Sequence, residues 1–172
     1  MMLYVLRHAR AEDPTPGEDD SHRGLTQKGT DQMREAAAGM RAIGLKFDTI
    51  LTSPLVRAVE TSAIVADAYD GRPEPQILRS LVPSLSAEKA AEELVPFCER
   101  DNVLIVGHEP QLGLLVSLLL TGDPNMVKID LKKGGCVALE RLNWMDHSKA
   151  ELIWMMTQKQ LRKMRKNLKG GG

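Results

Sequence analysis

The sequence predicts an α/β protein, a three-layer sandwich whose mostly parallel central sheet carries helices on both faces. Three observations point there. Short apolar runs at residues 3–6 and 102–106 lack the alternation of a sheet with one wet face, so they read as strands buried on both sides, and residues 47–52 read as a further strand between them. Each is followed by a segment of helical periodicity, and strand–helix–strand units with right-handed crossovers build parallel sheets. All three runs also end in polar residues, Arg7-His8, Ser53-Pro54 and Gly107-His108, as at the carboxyl edge where such sheets bind ligands.

After the first strand, residues 11–24 are rich in Pro, Gly and Asp, which is loop chemistry, and a loop of this length at the end of a buried strand is often functional. Thr26 is placed to cap a helix running to about Ile43, with Met33, Ala36, Ala37, Met40 and Ile43 on one face and Gly44 ending it. Ser53-Pro54 reads as the cap of the next helix, with Leu55, Val59, Ala63 and Ala66 as its stripe and Arg57 in its first turns, near Arg7 and His8. Asp70-Gly71-Arg72-Pro73 reads as a turn and Gln76-Ile77-Leu78 as a short edge strand.

Ser86 should cap a third helix through about Cys98, with Ala87, Ala91, Leu94 and Val95 inward. A fourth helix follows His108, from about Gln111 to Leu120. Residues 127–131 and 136–139 suggest strands, with Gly134-Gly135 allowing a bend or bulge, and residues 152–156 suggest the last strand. The tail, residues 159–169, has cations and no acids and reads as a solvated helix or frayed end. Residues 170–172 should be disordered, and with no repeat or linker in view residues 1–169 should form one domain.

Composition narrows the function classes. A chain of 172 residues with 42% hydrophobic and 27% charged content can bury a core, and the 3% aromatic content leaves that core to aliphatic side chains and Met. The net charge of zero provides no global field to attract nucleic acid or an anionic membrane, so neither is expected as a partner and any anion binding must be local. Cys98 and Cys136 are far apart and outside metal-ligand spacing, which suggests reduced thiols and a cytoplasmic location. The apolar start is too short for a signal peptide, and the apolar stretch at 112–120 is far shorter than the roughly 20 residues of a membrane span.

Arg7, His8, Arg57 and His108 are thus expected at one sheet edge, from three strands. Two histidines beside two arginines point to an anion rather than a metal, because the guanidinium charges repel a cation and no carboxylate or thiolate has ligand spacing. Guanidinium groups match phosphate oxygens, and the helix starts after Ser53 and His108 add backbone donors. The chemistry is that of a phosphate pocket.

These residues resemble the histidine phosphatase superfamily, also called the phosphoglycerate-mutase-like fold. The match comprises Arg7-His8 after the first strand, Arg23-x-Leu25-Thr26-x-x-Gly29 after the loop, Ser53-Pro54-x-x-Arg57-Ala58-x-x-Thr61, and Gly107-His108. The compact chain, His-Ala in place of His-Gly and the Gly-His-Glu-Pro turn are similar to the SixA-like branch, which removes phosphate from phosphohistidine. The resemblance implies that His8 is the nucleophile, giving a phosphohistidine intermediate that water hydrolyses. It also implies that Arg7 and Arg57 hold the non-bridging oxygens and that His108 donates to the developing charge. Arg23 has two readings: part of the same pocket, or a clasp that closes the loop onto a carboxylate. No metal or organic cofactor is implied.

The general acid departs from the family pattern. Relatives acting on alkyl phosphates use a carboxylate after the third strand, and Leu78-Arg79-Ser80-Leu81-Val82-Pro83 has none. Glu12, Asp13, Asp20 and Glu109 are the other candidates, although loop solvation and helix-start charge account for them as well. An imidazole leaving group, with a conjugate-acid pKa of roughly 6.5, takes its proton from solvent near neutrality, so a missing acid favours phosphohistidine over a sugar phosphate. The expected substrate is a phosphohistidine on a protein domain of a phosphorelay, because the chain lacks the large helical insertion that closes over small substrates in bigger relatives. The alternatives are a broad phosphomonoesterase for small phosphate esters and a catalytically weak phosphate-recognition module. The latter has no use for both His8 and His108.

Overall fold

The computed structural model describes residues 1–17, 19–141 and 150–167. Strand β1 (Met2–Arg7) lies inside the sheet, with β4 (Asn102–Gly107) on one side and β5 (Cys136–Arg141) on the other. Beyond β4 come β2 (Thr49–Thr52) and the short edge strand β3 (Pro75–Ile77), and beyond β5 comes β6 (Ala150–Met156). The order β3-β2-β4-β1-β5-β6 is parallel across the first four strands, and β5 runs antiparallel to both of its neighbours. The result is the mostly parallel sheet of the expected α/β sandwich.

Alternate residues of the buried strands feed two cores. Leu3, Val5, Leu51, Val103 and Ile105 pack with Leu94 of α3 (Ala87–Leu94) and Leu112 and Leu115 of α4 (Gln111–Thr121). On the opposite face Tyr4, Leu6, Ile50 and Leu104 meet Met33 and Met40 of α1 (Gln27–Ala42), Val65 of α2 (Val56–Ala68) and Leu161 of α5 (Gln158–Asn167). This is why the strands are apolar throughout: neither face meets water. Parallel register then fixes the edge. Leu6 pairs with Val106 and Val106 with Thr52, so the chain leaves the sheet at Arg7, Gly107 and Ser53 side by side.

The Thr26 side chain caps α1 by accepting from the Gly29 N–H at 2.9 Å, and Gly44, with φ 82°, turns the chain away from its end. The basic tail is helical through Asn167 and docks on α1, where a Cβ at Gly39 would collide with the Leu161 carbonyl. Arg162 bonds Glu35 of α1 at 2.7 Å. The tail expected to be disordered, residues 170–172, lies outside the described residues. Cys98 and Cys136 are free thiols, and no helix among the described residues is long and apolar enough to cross a membrane.

Three local expectations fail. Ser53 does not cap α2: Leu55 precedes the helix, and the buried face is Arg57, Ala58, Thr61, Ser62, Val65 and Ala66, leaving Val59 and Ala63 exposed. Polar residues can occupy that face because each finds a hydrogen-bond partner, Arg57 on Asp20, Thr61 on Ala9 and Ser62 on the Val59 carbonyl of its own helix, so apolar periodicity misplaces it. Ile43 falls beyond the last turn of α1 and is 36% exposed. Residues 127–131 form no strand, since the edge of β1 they would need is taken by β5; only Leu131 is fully buried there.

Candidate active site

His8 follows β1 directly and is 6% exposed. Its backbone N–H continues the ladder to the Gly107 carbonyl at 3.0 Å, which turns the ring toward the end of β4. Nδ1 lies 2.7 Å from the Ala9 carbonyl oxygen. A carbonyl only accepts, so Nδ1 carries the proton of the neutral ring and Nε2 keeps its lone pair. Burial pushes the His8 pKa down to about 4, reinforced by Arg57, Arg7 and Lys133 and opposed by the bond to Ala9. At neutral pH the ring is therefore a free base, as a nucleophile must be.

His108, after β4, places its ring centroid 5.0 Å from that of His8. His108 Nε2 lies 2.8 Å from the Ser53 hydroxyl, whose oxygen also accepts from the Leu55 N–H at 3.3 Å. Burial, then the neighbouring His8 and Arg57, lowers the His108 pKa to about 3.

The two arginines arrive from different elements. Arg7, the last residue of β1, donates from Nη1 to the Leu131 carbonyl at 2.9 Å. Arg57, the second residue of α2, is 4% exposed and is gripped by Asp20 of the long loop: Nη1 to the Asp20 carbonyl at 2.8 Å, Nη2 to its carboxylate at 2.8 Å. Arg7 Nε, Arg57 Nε and His108 Nδ1 are buried and have no hydrogen-bond partner among the described residues. Buried donors without acceptors are costly, and the two guanidinium Nε–H groups beside the histidine rings make a cradle for an anion.

Arg23 takes the second of its two expected positions. It clasps the loop, with Nε on the Asp20 carboxylate at 2.7 Å and Nη1 on the Glu12 carbonyl at 2.8 Å, and reaches Arg57 only through Asp20. The hydrogen bond from Arg23, together with the charge of Arg57, holds the Asp20 carboxyl below the usual carboxylate range. Asp20 is therefore a poor proton donor. Glu12 and Asp13 line a loop cleft of about 220 Å³ together with Asp19, Asp20, His22 and Arg23, and neither His8 nor His108 lines it. Glu109 is half-buried, which raises its pKa above the ordinary value, and its carboxylate accepts from the Leu131 N–H at 3.2 Å and from the Gly113 N–H, which oppose that shift. The position after β3 holds a single turn, Arg79–Leu81, with Ser80 fully buried. Among the described residues no group of His, Cys, Asp and Glu side chains could hold a metal ion.

Two supporting residues escape sequence reasoning. Thr61, one turn after Arg57, accepts from the Ala9 N–H at 3.0 Å and donates to the Arg57 carbonyl at 2.6 Å, tying the His8 segment to α2. Its place in the Arg57-Ala58-x-x-Thr61 motif signals its presence but not its partner. Ser53 resembles a helix cap and is instead the partner of His108.

The sequence profile of the Histidine phosphatase superfamily (branch 1) matches residues 3–81. An uncharacterized protein of Picosynechococcus sp. is 37% identical over 141 residues, 81% of this chain and 84% of its own. The phosphohistidine phosphatase SixA of Escherichia coli is 27% identical over 125 residues, covering 72% of this chain and 76% of SixA. Among solved structures, the protein histidine phosphatase SixA complexed with tungstate superposes with a TM-score of 0.81 at 23% identity, over 94% of this chain and 99% of that one. The alpha-ribazole phosphatase of Shigella flexneri does so with a TM-score of 0.72 at 18% identity, over 92% and 97%. At these identities the structures show a shared fold.

Proposed function

This chain belongs to the histidine phosphatase superfamily as a SixA-like phosphatase, and on that premise we propose that it hydrolyses phosphohistidine carried by a protein domain of a phosphorelay. His8 Nε2 attacks phosphorus, a phosphorus–nitrogen bond to His8 forms as the one to the substrate imidazole breaks, and solvent protonates the departing nitrogen. Water then attacks the phosphorylated His8 to release inorganic phosphate and restore the free ring. Arg7, Arg57 and His108 take the equatorial oxygens, where electrostatic stabilisation of phosphoryl transfer is largest. Asp20 orients Arg57 from the far side, and Arg23 holds Asp20.

The observation that carries the choice of substrate is the fate of the acids. Asp20 is held ionised between two guanidinium groups, and a turn with the buried Ser80 occupies the place after β3; Glu109, whose pKa burial raises, turns its carboxylate to the main chain of Leu131 and Gly113. An alkoxide needs a proton from the enzyme, whereas an imidazole does not. The likeness to SixA of Escherichia coli supports the same reading.

The test compares turnover of a phosphohistidine-bearing domain with that of an alkyl phosphate, with His8→Ala as control. The domain should be hydrolysed faster and the variant should be inactive on both. Faster turnover of the alkyl phosphate would overturn the leaving-group argument, and full activity of His8→Ala would overturn the assignment of the nucleophile. The fold shared with the alpha-ribazole phosphatase makes a small-metabolite phosphomonoesterase the second reading.

A further inference from the structure

We propose that Glu109 is a positioning residue for Arg7, acting through the main chain of Leu131. The inference rests on the reading above only in taking Arg7 to hold phosphoryl oxygens.

Residues 127–131 approach the site without a sheet partner, so something else must hold them. Leu131 is fully buried, and both of its main-chain polar groups are in use. Its N–H donates to Glu109 Oε1 at 3.2 Å, and its carbonyl accepts from Arg7 Nη1 at 2.9 Å. Glu109 itself follows His108 directly and leads into α4, a rigid start for the chain of contacts Glu109, Leu131, Arg7. The carboxylate has little freedom: it also accepts from the Gly113 N–H, and a Cβ at Gly113 would lie 2.9 Å from Oε2 and 2.7 Å from the Ile129 carbonyl.

This accounts for a turn residue that the chemistry of the site leaves unused. A carboxylate engaged by two backbone donors is well placed to fix a loop that in turn fixes a guanidinium. Without Glu109, the buried Leu131 N–H loses its acceptor, the loop shifts and Arg7 follows it.

The variants are Glu109→Gln and Glu109→Ala, read by binding of inorganic phosphate in a calorimeter and by kcat/KM on an aryl and an alkyl phosphate. Phosphate should bind about 10-fold more weakly and kcat/KM should fall by about 10- to 100-fold, equally for both leaving groups. A loss confined to the alkyl phosphate, with phosphate binding unchanged, would identify Glu109 as a general acid and overturn the proposal. A fall in kcat with KM and phosphate affinity unchanged would mark a merely structural residue and overturn it too.

Should both variants fail to fold, Gly113→Ala crowds the carboxylate with every charge intact and should weaken phosphate binding in the same direction; unchanged binding by that variant overturns the proposal. Phosphate binding needs no turnover, so a wild-type protein that binds phosphate but leaves phosphohistidine intact sinks the substrate assignment alone. Arg7→Ala binding phosphate as tightly as wild type removes the premise instead.

Discussion

Thr61→Val separates a hydrogen-bond role from a packing role at the base of the site. Thr61 and Ala9 are both fully buried, and the Thr61 hydroxyl is the recorded acceptor of the Ala9 N–H at 3.0 Å. Valine keeps the shape of the side chain, so little cavity is created and the change is mainly the lost hydroxyl. Stranding the buried Ala9 N–H costs about 1–3 kcal/mol. The second bond, to the Arg57 carbonyl at 2.6 Å, lies within the helix and contributes little, because that carbonyl also faces its regular helical partner. A loss of about 2 kcal/mol corresponds to a fall in Tm of about 4–8 °C for a chain of this size. Urea unfolding should show a lower midpoint at an unchanged slope, and Thr61→Ser, which keeps the hydroxyl, should lose less than half as much. A Val variant within about 0.5 kcal/mol of wild type, or a Ser variant as unstable as Val, would refute the reasoning.

Two further outcomes follow from burial and close approach. The pKa values of His8 and His108 are lowered from 6.5 to about 4 and about 3, so the unfolded chain takes up their protons first as pH falls and stability declines from about pH 6.5 downward. For His8 the loss is of order 3 kcal/mol once pH reaches its folded value, and His8→Asn should flatten the dependence of urea stability on pH between 7 and 4 by about that amount. An unchanged slope would show that His8 is solvated. Gly39→Ala should push α5 off α1, costing about 2 kcal/mol or more in the same assay; a neutral result would mean that α5 is not docked there.

Much of the site was legible because it is laid down by strand register. A buried parallel strand announces itself by an unbroken apolar run, and the residue after the run must emerge at the carboxyl edge, so Arg7, His8 and His108 could be placed from local pattern alone. Arg57 followed from its distance into the next helix, although the buried face of that helix did not: polar residues with distant partners occupy it, and apolar periodicity is blind to them. The strand expected at 127–131 failed for a related reason. Its composition suits a strand, but pairing needs a free edge, and β5 occupies it.

What the sequence determined by itself is therefore the order of strands and helices, the two-faced burial of the sheet and the two arginines and two histidines gathered at its edge. Only the tertiary structure decided their proton states and supports. Asp20 and Arg57 are 37 positions apart, His108 and Ser53 are 55, and Arg7 and Leu131 are 124. The pKa of a group depends on burial and on every charge and dipole near it in space, and the position of a guanidinium depends on which carbonyl happens to face it. Those neighbours are supplied by loops closing over long separations. The chain thus announces its histidines and arginines locally, whereas the contacts that set Asp20 against Arg57 and Glu109 against Leu131 exist only in the folded molecule.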